Sequence, residues 1–288
     1  MTKLGLACTM FTPENMAIRK AAEDFGVELT VIRDEQEPFS LSGDPAFSNL
    51  NVLLARSSSF TRSVYLSKLA ESAGVFSINS SSAQVLCGDK ALTSAFLMQK
   101  NIPTPKVLLA FSPSAALQAV ETMGYPCVIK PPVGSWGRMV CKVNDKSAAH
   151  AVVSLKDSLG HYTDKVYYVQ EYVDKPQRDI RVFVVGDEVQ FAIYRKITSG
   201  DEHAFITNLN HGGSAEEFKL TQDMEELVHK TTHALGAGVY GIDLIEYPDG
   251  HPAVLEVNHA PEFSKSAGQK MPQVADAIIK FAISQAKN

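Results

Sequence analysis

The chain has 288 residues, of which 45% are hydrophobic and 20% charged, which is typical of a globular protein with a sizeable core and excludes a disordered chain. Its formal net charge of -5 gives no general attraction to nucleic acid or to an anionic membrane, so neither is predicted as a partner. Four dispersed cysteines, together with the lack of a signal-peptide pattern and of a long apolar segment, predict a reduced, cytoplasmic protein.

The first part of the chain alternates between strand-like and helix-like patterns. Strands are predicted at 4–8, 27–32, 52–55 and 75–78, with helices at 18–25 and 64–73. This order indicates a small parallel sheet covered by helices, which ends near Cys87. The first strand is not followed by a glycine-rich dinucleotide fingerprint, so a Rossmann cofactor site is not predicted.

The remainder is predicted to be rich in short strands, and a chain of this length is expected to form two or three lobes because single cores stop growing near about 250 residues. A helix follows Asp89 and ends near Lys100, before Pro103 and Pro105. The further predicted strands lie at 127–130, 139–143, 166–171, 180–185 and 189–194, and the further predicted helices at 114–123, 147–159, 223–235 and 272–285.

A lysine and a glycine-rich turn follow one of these strands. Lys130 ends the apolar run VIK and precedes PPVGSWGR at 131–138. Backbone N–H groups in such a turn can approach phosphate oxygens, which lysine and arginine neutralise. The spacing excludes a P-loop. Taken alone, a structural hairpin is the favoured interpretation, and Trp136 either closes over a ligand or anchors the turn.

Two further segments carry polar residues within strands. The segment VQEYV at 169–173 could present main-chain groups to an adenine edge, although an ordinary edge strand fits it better when it is taken alone. Arg181 and Arg195 on consecutive strands, with TNLNHGG at 207–213 after them, could hold a triphosphate or an acidic substrate. The alternative is surface ion pairing, which stabilises little.

Isolated acids in apolar strands are the most informative local feature. Asp243 lies within GIDLIEY, and Glu256 and Asn258 lie two residues apart in AVLEVN, so the last two face the same side of a strand. Mg²⁺ prefers oxygen ligands from one or two carboxylates together with phosphates. A metal site is favoured over a solvated face because an unpaired acid in an apolar strand is costly. A nucleophile motif is not found, so the predicted chemistry needs no covalent enzyme intermediate.

In combination, these motifs resemble the ATP-grasp ligases. More narrowly, they are similar to the amino-group-carrier-protein ligases of lysine and arginine biosynthesis, the LysX and ArgX type, which are related to the RimK-type glutamyl ligases. Each motif is modestly specific, and their joint order carries the resemblance. They are, in chain order, RSSSFTRSVYL (56–66), CGDKALTS (87–94), KPPVGSWGR (130–138), VQEYVDKPQRDIRVFVVGD (169–187), AIYR (192–195), ITN ahead of GG, and EVNHAPEF (256–263).

The resemblance implies an α/β protein with the ATP-grasp fold. It implies a pre-ATP-grasp domain with a parallel sheet at 1–88, a central lobe at 89–168 and a C-terminal lobe with the metal site at 169–288, with ATP between the last two. The resemblance implies that the nucleotide phosphates are contacted by Lys90 and Lys130 and covered by the turn Gly134, Ser135, Trp136, Gly137 and Arg138, and that the adenine pocket is lined by Gln170, Glu171, Tyr172 and Val173. It implies that the γ-phosphate and the intermediate face Arg195 and Asn208, and Arg181 and Asp179 also match the family pattern. Two magnesium ions are implied at Asp243, Glu256 and Asn258.

The activity that the resemblance implies is ATP-dependent. The enzyme would phosphorylate the C-terminal glutamate side chain of a small acidic carrier protein of the LysW type and join it to the α-amine of glutamate or α-aminoadipate, as a homodimer or homotetramer. A RimK-like ligase acting on another protein tail or on a small molecule is the alternative, and a non-catalytic ATP-binding module is contradicted by Asp243 and Glu256. TNLNHGG and EVNHAPEF depart from the family's TNTARGG and EVNHTMEF, which leaves the amino acid open at Asn210, His211, Ala260 and Pro261.

Overall fold

The computed structural model describes residues 1–134, 137–159, 165–196 and 214–286. Within them, the strands form three sheets of four, four and five strands. An α/β architecture is therefore confirmed, with a parallel sheet at the start of the chain and antiparallel sheets after it.

The N-terminal sheet is parallel with the strand order β2-β1-β3-β4. Helix α1 begins after Thr12, whose side chain accepts from Asn15 N, and α2 begins after Ser59, which caps Arg62 N. The predicted strands and helices of this part are all present. Its elements are β1 (Lys3–Cys8), α1 (Pro13–Asp24), β2 (Glu28–Arg33), β3 (Val52–Arg56), α2 (Phe60–Ser72), β4 (Phe76–Ile78) and α3 (Ser81–Gly88).

The second sheet is antiparallel with the strand order β5-β8-β6-β7. The strand predicted at 139–143 begins only at Cys141, because Met139 has a φ of 58° and lies in a turn. The strand predicted at 166–171 is confirmed at Tyr167–Glu171, and the segment 169–173 leaves the strand after Glu171. The elements here are α4 (Lys90–Gln99), β5 (Val107–Ala110), α5 (Pro113–Met123), β6 (Cys127–Lys130), β7 (Cys141–Val143), α6 (Lys146–Leu159) and β8 (Tyr167–Glu171).

The third sheet is antiparallel with the strand order β11-β10-β9-β12-β13. Its strands place the polar residues predicted at 179–195 beside those predicted at 243–258. The elements are β9 (Arg178–Val185), β10 (Glu188–Lys196), β11 (Ser214–Glu217), α7 (Gln222–Leu235), β12 (Val239–Glu246), β13 (Pro252–Asn258), α8 (Ser264–Ala267), a 3₁₀ turn (Gly268–Lys270) and α9 (Met271–Gln285).

Two apolar cores hold the third sheet in place. On one side, Phe183 and Phe191 pack with Phe263, with α9 and with Leu4 and Leu6 of the N-terminal sheet. On the other side, α7 and the end of α4 cover the sheet through a second cluster. The N-terminal and third sheets therefore form one packed unit, whose strand ends meet. In the described ranges, none of the helices combines the length and apolar character needed to cross a bilayer.

Candidate active site

A row of charged side chains crosses one face of the third sheet. In the strand register, Arg195 of β10 is opposite Asp179 of β9, Arg181 of β9 is opposite Asp243 of β12, and Asp243 is opposite Glu256 of β13. Directly opposite residues of antiparallel strands share a face. The sheet thus brings together five residues that are separated by up to about eighty positions in sequence.

Asp243 is the centre of a buried ion-pair network. Arg195 donates to Asp243 at 2.9 Å and to both oxygens of Asp179 at 2.7 and 2.9 Å, while Arg181 donates to Asp243 through Nη2 at 3.0 Å and through Nε. Asp243 is 2% exposed. Burial acts to raise the pKa of Asp243, but the two guanidinium groups lower it overall. The carboxylate is therefore ionised, and it fixes the orientation of both arginines.

Glu256 and Asn258 form the accessible part of the row. Asn258 Nδ2 donates to Glu256 Oε1 and to the Gly241 carbonyl, each at 3.4 Å. The Glu256 side chain is 27% exposed, against 3% for that of Asp243. The structure brings the predicted metal residues together, with oxygen ligands of the type that Mg²⁺ prefers. In the described part of the chain, groups of three or more His, Cys, Asp or Glu suited to a metal ion are not found.

Lys90 and Lys130 approach Glu256 from two elements, the start of α4 and the end of β6. Lys90 is the first residue of α4, and its Nζ lies 3.6 Å from Glu256 Oε2 and 2.7 Å from the Gly134 carbonyl. Lys130 ends β6 and is 5% exposed; burial lowers its pKa to about 8, although Glu256 opposes that effect. Two amines and a carboxylate therefore meet between the second and third sheets.

Lys130 packs against a polar network whose internal contacts were not predicted from the sequence. Its Nζ lies 5.1 Å from the centre of the Tyr168 ring, a cation–π contact. The Tyr168 hydroxyl lies 2.8 Å from Ser94 Oγ and accepts from Gln170 Nε2 at 3.2 Å. Tyr168 and Gln170 are two apart on β8 and share a face, a spacing that is the one sequence signal for this network.

The predicted adenine segment lies at the end of β8. Glu171 accepts from Lys106 N at 3.0 Å and from the Tyr247 hydroxyl, and Lys142 Nζ lies 3.8 Å from the Tyr172 ring centre. Val173 packs with an apolar cluster of the third sheet. The segment therefore bridges the second and third sheets, beside the lysines.

Three of the remaining predicted residues lie within the described part of the chain. Gly134 is held by Lys90, Gly137 adopts a φ of 69°, and Arg138 is exposed. Ser135, Trp136 and Asn208 lie outside the described residues, as does the whole of TNLNHGG at 207–213.

Two family models match the chain. The model of a RimK-like ATP-grasp domain matches residues 87–282, and that of a LysX preATP-grasp domain matches residues 12–85.

Curated relatives cover most of the chain. A glutamate–LysW ligase ArgX of Sulfolobus acidocaldarius is 34% identical over 97% of this chain and 97% of that relative. An alpha-aminoadipate–LysW ligase LysX of Saccharolobus solfataricus is 36% identical over 76% of this chain and 78% of that relative. A tetrahydromethanopterin:alpha-L-glutamate ligase of Methanosarcina acetivorans is 30% identical over 93% of this chain and 89% of that relative.

A solved structure is also similar. The crystal structure of a RimK domain protein ATP-grasp from Sphaerobacter thermophilus superposes with a TM-score of 0.80 at 23% identity, over 97% of this chain and 99% of that one. At this identity the likeness shows the fold alone.

Proposed function

The chain belongs to the RimK-like ATP-grasp ligases, and from that premise we propose that it is an amino-group-carrier-protein ligase. It joins the side-chain carboxylate of a C-terminal glutamate, on a small acidic carrier protein of the LysW type, to the α-amine of glutamate or α-aminoadipate. The reaction serves lysine biosynthesis, arginine biosynthesis or both, in the cytoplasm.

The observation that carries this proposal is the 3.6 Å approach of Lys90 to Glu256. It places a lysine suited to phosphate binding, at the start of α4, beside a carboxylate suited to metal binding, on the third sheet. The same lysine donates to the Gly134 carbonyl in the turn that follows β6 of the second sheet. With Lys130 beside them, the groups needed to hold a triphosphate and a divalent cation lie in one cleft. We propose three domains: 1–88 precedes the cleft, and 89–168 and 169–288 contribute its two walls.

The proposed reaction has two steps. The carrier carboxylate attacks the γ-phosphorus of ATP, which forms an acyl-phosphate and releases ADP. The amine then attacks the acyl carbon, the C–N bond forms, the C–O bond to phosphate breaks, and the amine loses a proton. Phosphate thus replaces oxide as the leaving group. The amide product blocks the amine of the amino acid.

The protein acts in this reaction mainly by positioning charge. Lys90 and Lys130 hold phosphate oxygens, with the turn Gly134, Ser135, Trp136, Gly137 and Arg138 over them, and Gln170, Glu171, Tyr172 and Val173 line the adenine pocket. Arg195 and Asn208 face the γ-phosphate and the acyl-phosphate. Arg181 and Asp179 hold Asp243 and Arg195 in their orientations.

ATP-grasp enzymes bind ATP with Mg²⁺, and we propose that two ions bind here. When bound, Mg²⁺ neutralises charge on the transferred phosphoryl group. Glu256 and Asn258 fit this role because they are accessible and adjacent. Asp243 belongs to the proposed set, but it already accepts three guanidinium hydrogen bonds, and a carboxylate accepts about four. It has room for one further ligand.

A second function is favoured by one relative. The tetrahydromethanopterin:alpha-L-glutamate ligase matches 93% of the chain, so glutamylation of a small molecule is the alternative. The match of residues 12–85 to the LysX preATP-grasp domain favours the carrier protein. The proposed assembly is a homodimer or homotetramer.

The test is mass spectrometry of a carrier protein with a C-terminal glutamate after incubation with enzyme, ATP, Mg²⁺ and mixed amino acids. A glutamyl or aminoadipyl increment on the carrier is expected. An unchanged carrier, with an increment on tetrahydromethanopterin in a parallel reaction, would favour the alternative.

The metal assignment is tested with Glu256→Ala, for which we expect loss of carrier-dependent ADP release with the fold retained. Glu226→Ala removes an exposed acid of α7 and serves as the matched control with normal activity. Continued ADP release by Glu256→Ala in the presence of carrier would show that the metal assignment is wrong.

A further inference from the structure

Two arginines end the two strands that flank β1 in the N-terminal sheet, outside the site described above. Arg33 ends β2 and Arg56 ends β3, and both are level with Cys8, the last residue of β1. In-register residues of parallel strands face the same side, and here that side packs against the third sheet. The strand order reverses between β1 and β3, and ligands of open α/β sheets bind at the carboxyl ends of the strands beside such a reversal.

Arg56 has hydrogen bonds but lacks a carboxylate in contact. Its Nε donates to Asn15 Oδ1 at 2.8 Å, its Nη2 donates to the Pro261 carbonyl at 3.5 Å, and its guanidinium lies 5.7 Å from the Phe263 ring centre. Among the described residues, carboxylates within 4 Å of the Arg56 or Arg33 guanidinium are not found, whereas Arg62 pairs with Asp34 and Glu35.

The surroundings leave this positive charge uncompensated at close range. Burial lowers the pKa of Arg56, and Glu14 and Glu262 oppose that effect from beyond contact distance. Glu14 is occupied, since it accepts from Ser264 N at 2.9 Å. A partly buried guanidinium without a paired anion is costly, and an anionic ligand would recover that cost.

The Arg56 end of the sheet lies next to the proposed reaction centre. Arg56 donates to Pro261, and a Cβ atom added at Gly241 would lie 2.8 Å from Pro261 Cβ and 3.3 Å from Arg181 Nη1. Pro261 therefore contacts Arg56 and lies close to Gly241, which in turn adjoins Arg181 of the arginine network. The same loop continues from Asn258, and Asn79 Nδ2 anchors it to the N-terminal domain through the His259 carbonyl at 2.9 Å.

The loop offers a second polar group at this place. His259 Nδ1 is buried and lacks a hydrogen-bond partner among the described residues. A neutral ring nitrogen can accept a hydrogen bond from an amine or ammonium group.

We propose that Arg56 binds the α-carboxylate of the amine-bearing amino acid, in a subsite formed by the carboxyl end of the N-terminal sheet and the loop 259–263. This inference rests on the proposed function, because it takes the acceptor to be glutamate or α-aminoadipate. Arg33, on the other side of Cys8, adds a second positive charge that favours amino acids with an acidic side chain. The subsite places the amine beside Asn258 and the arginine network, where the acyl-phosphate forms.

The test measures binding of glutamate, α-aminoadipate and the α-amide of glutamate to the full-length enzyme by calorimetry, in the presence of a non-hydrolysable ATP analogue and Mg²⁺. We expect Arg56→Lys and Arg56→Met to weaken binding of the preferred acid about 10- to 100-fold, as for loss of a hydrogen-bonded charged partner. Wild type should discriminate against the α-amide, and Arg56→Met should bind acid and amide equally weakly. Arg19→Lys, on an exposed arginine of α1, is the control that leaves binding unchanged.

Carrier-dependent ADP release without amino acid separates the two proposals. It should persist in the Arg56 variants, because formation of the acyl-phosphate needs no amine. Failure of wild type to modify the carrier, with amino-acid binding intact, would refute the proposed carrier and leave the subsite standing. The subsite is refuted if wild type binds neither acid, if acid and amide bind equally well to wild type, or if Arg56→Lys raises KM for the carrier or ATP and not for the amino acid.

Discussion

Replacing Asp243 by Asn tests whether the buried ion-pair network holds the third sheet together. The substitution keeps the shape of the side chain and removes one charge, leaving Arg181 and Arg195 without the carboxylate to which both donate. Removal of one partner from a buried pair costs about 3–5 kcal/mol. The network spans β9, β10 and β12, so the loss should appear in global unfolding.

The expected size can be stated for calorimetry. For chains of this size, 1 kcal/mol shifts Tm by about 2–4 °C, so Asp243→Asn should lower Tm by about 6–20 °C. Asp24→Asn is the matched control, since Asp24 is 56% exposed and pairs with Lys20 on the surface of α1. Loss of a surface pair should change stability by less than about 1 kcal/mol.

Two results would refute the reasoning. If Asp243→Asn and Asp24→Asn had the same Tm, the network would not stabilise the folded state. If Asp243→Asn were destabilised but a Glu256→Gln variant were equally so, the loss would reflect disruption of β12 and β13 and not the unpaired arginines, because Glu256 is the more exposed acid.

Two further predictions concern pH. Burial acts to raise the pKa of Glu14, but hydrogen bonds from Ser264 lower it to about 2. Because this folded-state pKa is below the unfolded value, the stabilisation is complete above about pH 4.5 and is lost as pH falls toward 2. Glu14→Gln should therefore weaken the dependence of unfolding free energy on pH in that range, measured by denaturant titration, and an unchanged dependence would contradict the assignment. Burial lowers the pKa of Lys130 to about 8, so the free enzyme loses this positive charge as pH rises through 8. The KM for ATP should therefore rise around pH 8 in wild type. Lys130→Met should have a raised KM for ATP at every pH and should not show this increase around pH 8.

The regular elements could be predicted where the pattern of apolar residues is strong. The four N-terminal strands and the helices α5, α6, α7 and α9 were predicted within a few residues of their ends. Of the elements that were not predicted, three have a clear physical explanation. β5 is a short strand at a sheet edge with Leu109 exposed, β11 is the fully exposed sequence SAEE, and α3 begins with serines that favour turns as readily as caps.

Most residues of the site could be predicted from the sequence, but the hydrogen bonds between them could not. Asp243 and Glu256 were expected together because both interrupt apolar strands near each other in sequence. The bonds that Arg181 and Arg195 make to Asp243 depend on the order β10-β9-β12, which no local pattern encodes. The role proposed for Arg56 was not predicted for the same reason, because it depends on the contact with the Pro261 carbonyl, 205 residues away in sequence.

The two acids of the site therefore have different tasks, although they look alike in sequence. Asp243 is enclosed and binds two guanidinium groups, so its charge is used to orient Arg195, the arginine proposed to face the γ-phosphate. Glu256 is accessible, and within the described ranges its partners are Lys90 and Asn258, groups that a metal–nucleotide complex can engage in its place. A change at Asp243 should thus reduce stability and activity together, whereas a change at Glu256 should reduce activity alone. This difference between the two acids follows from burial. A carboxylate that is surrounded by arginines stabilises the structure, whereas a carboxylate at the edge of the cleft remains available for ligands.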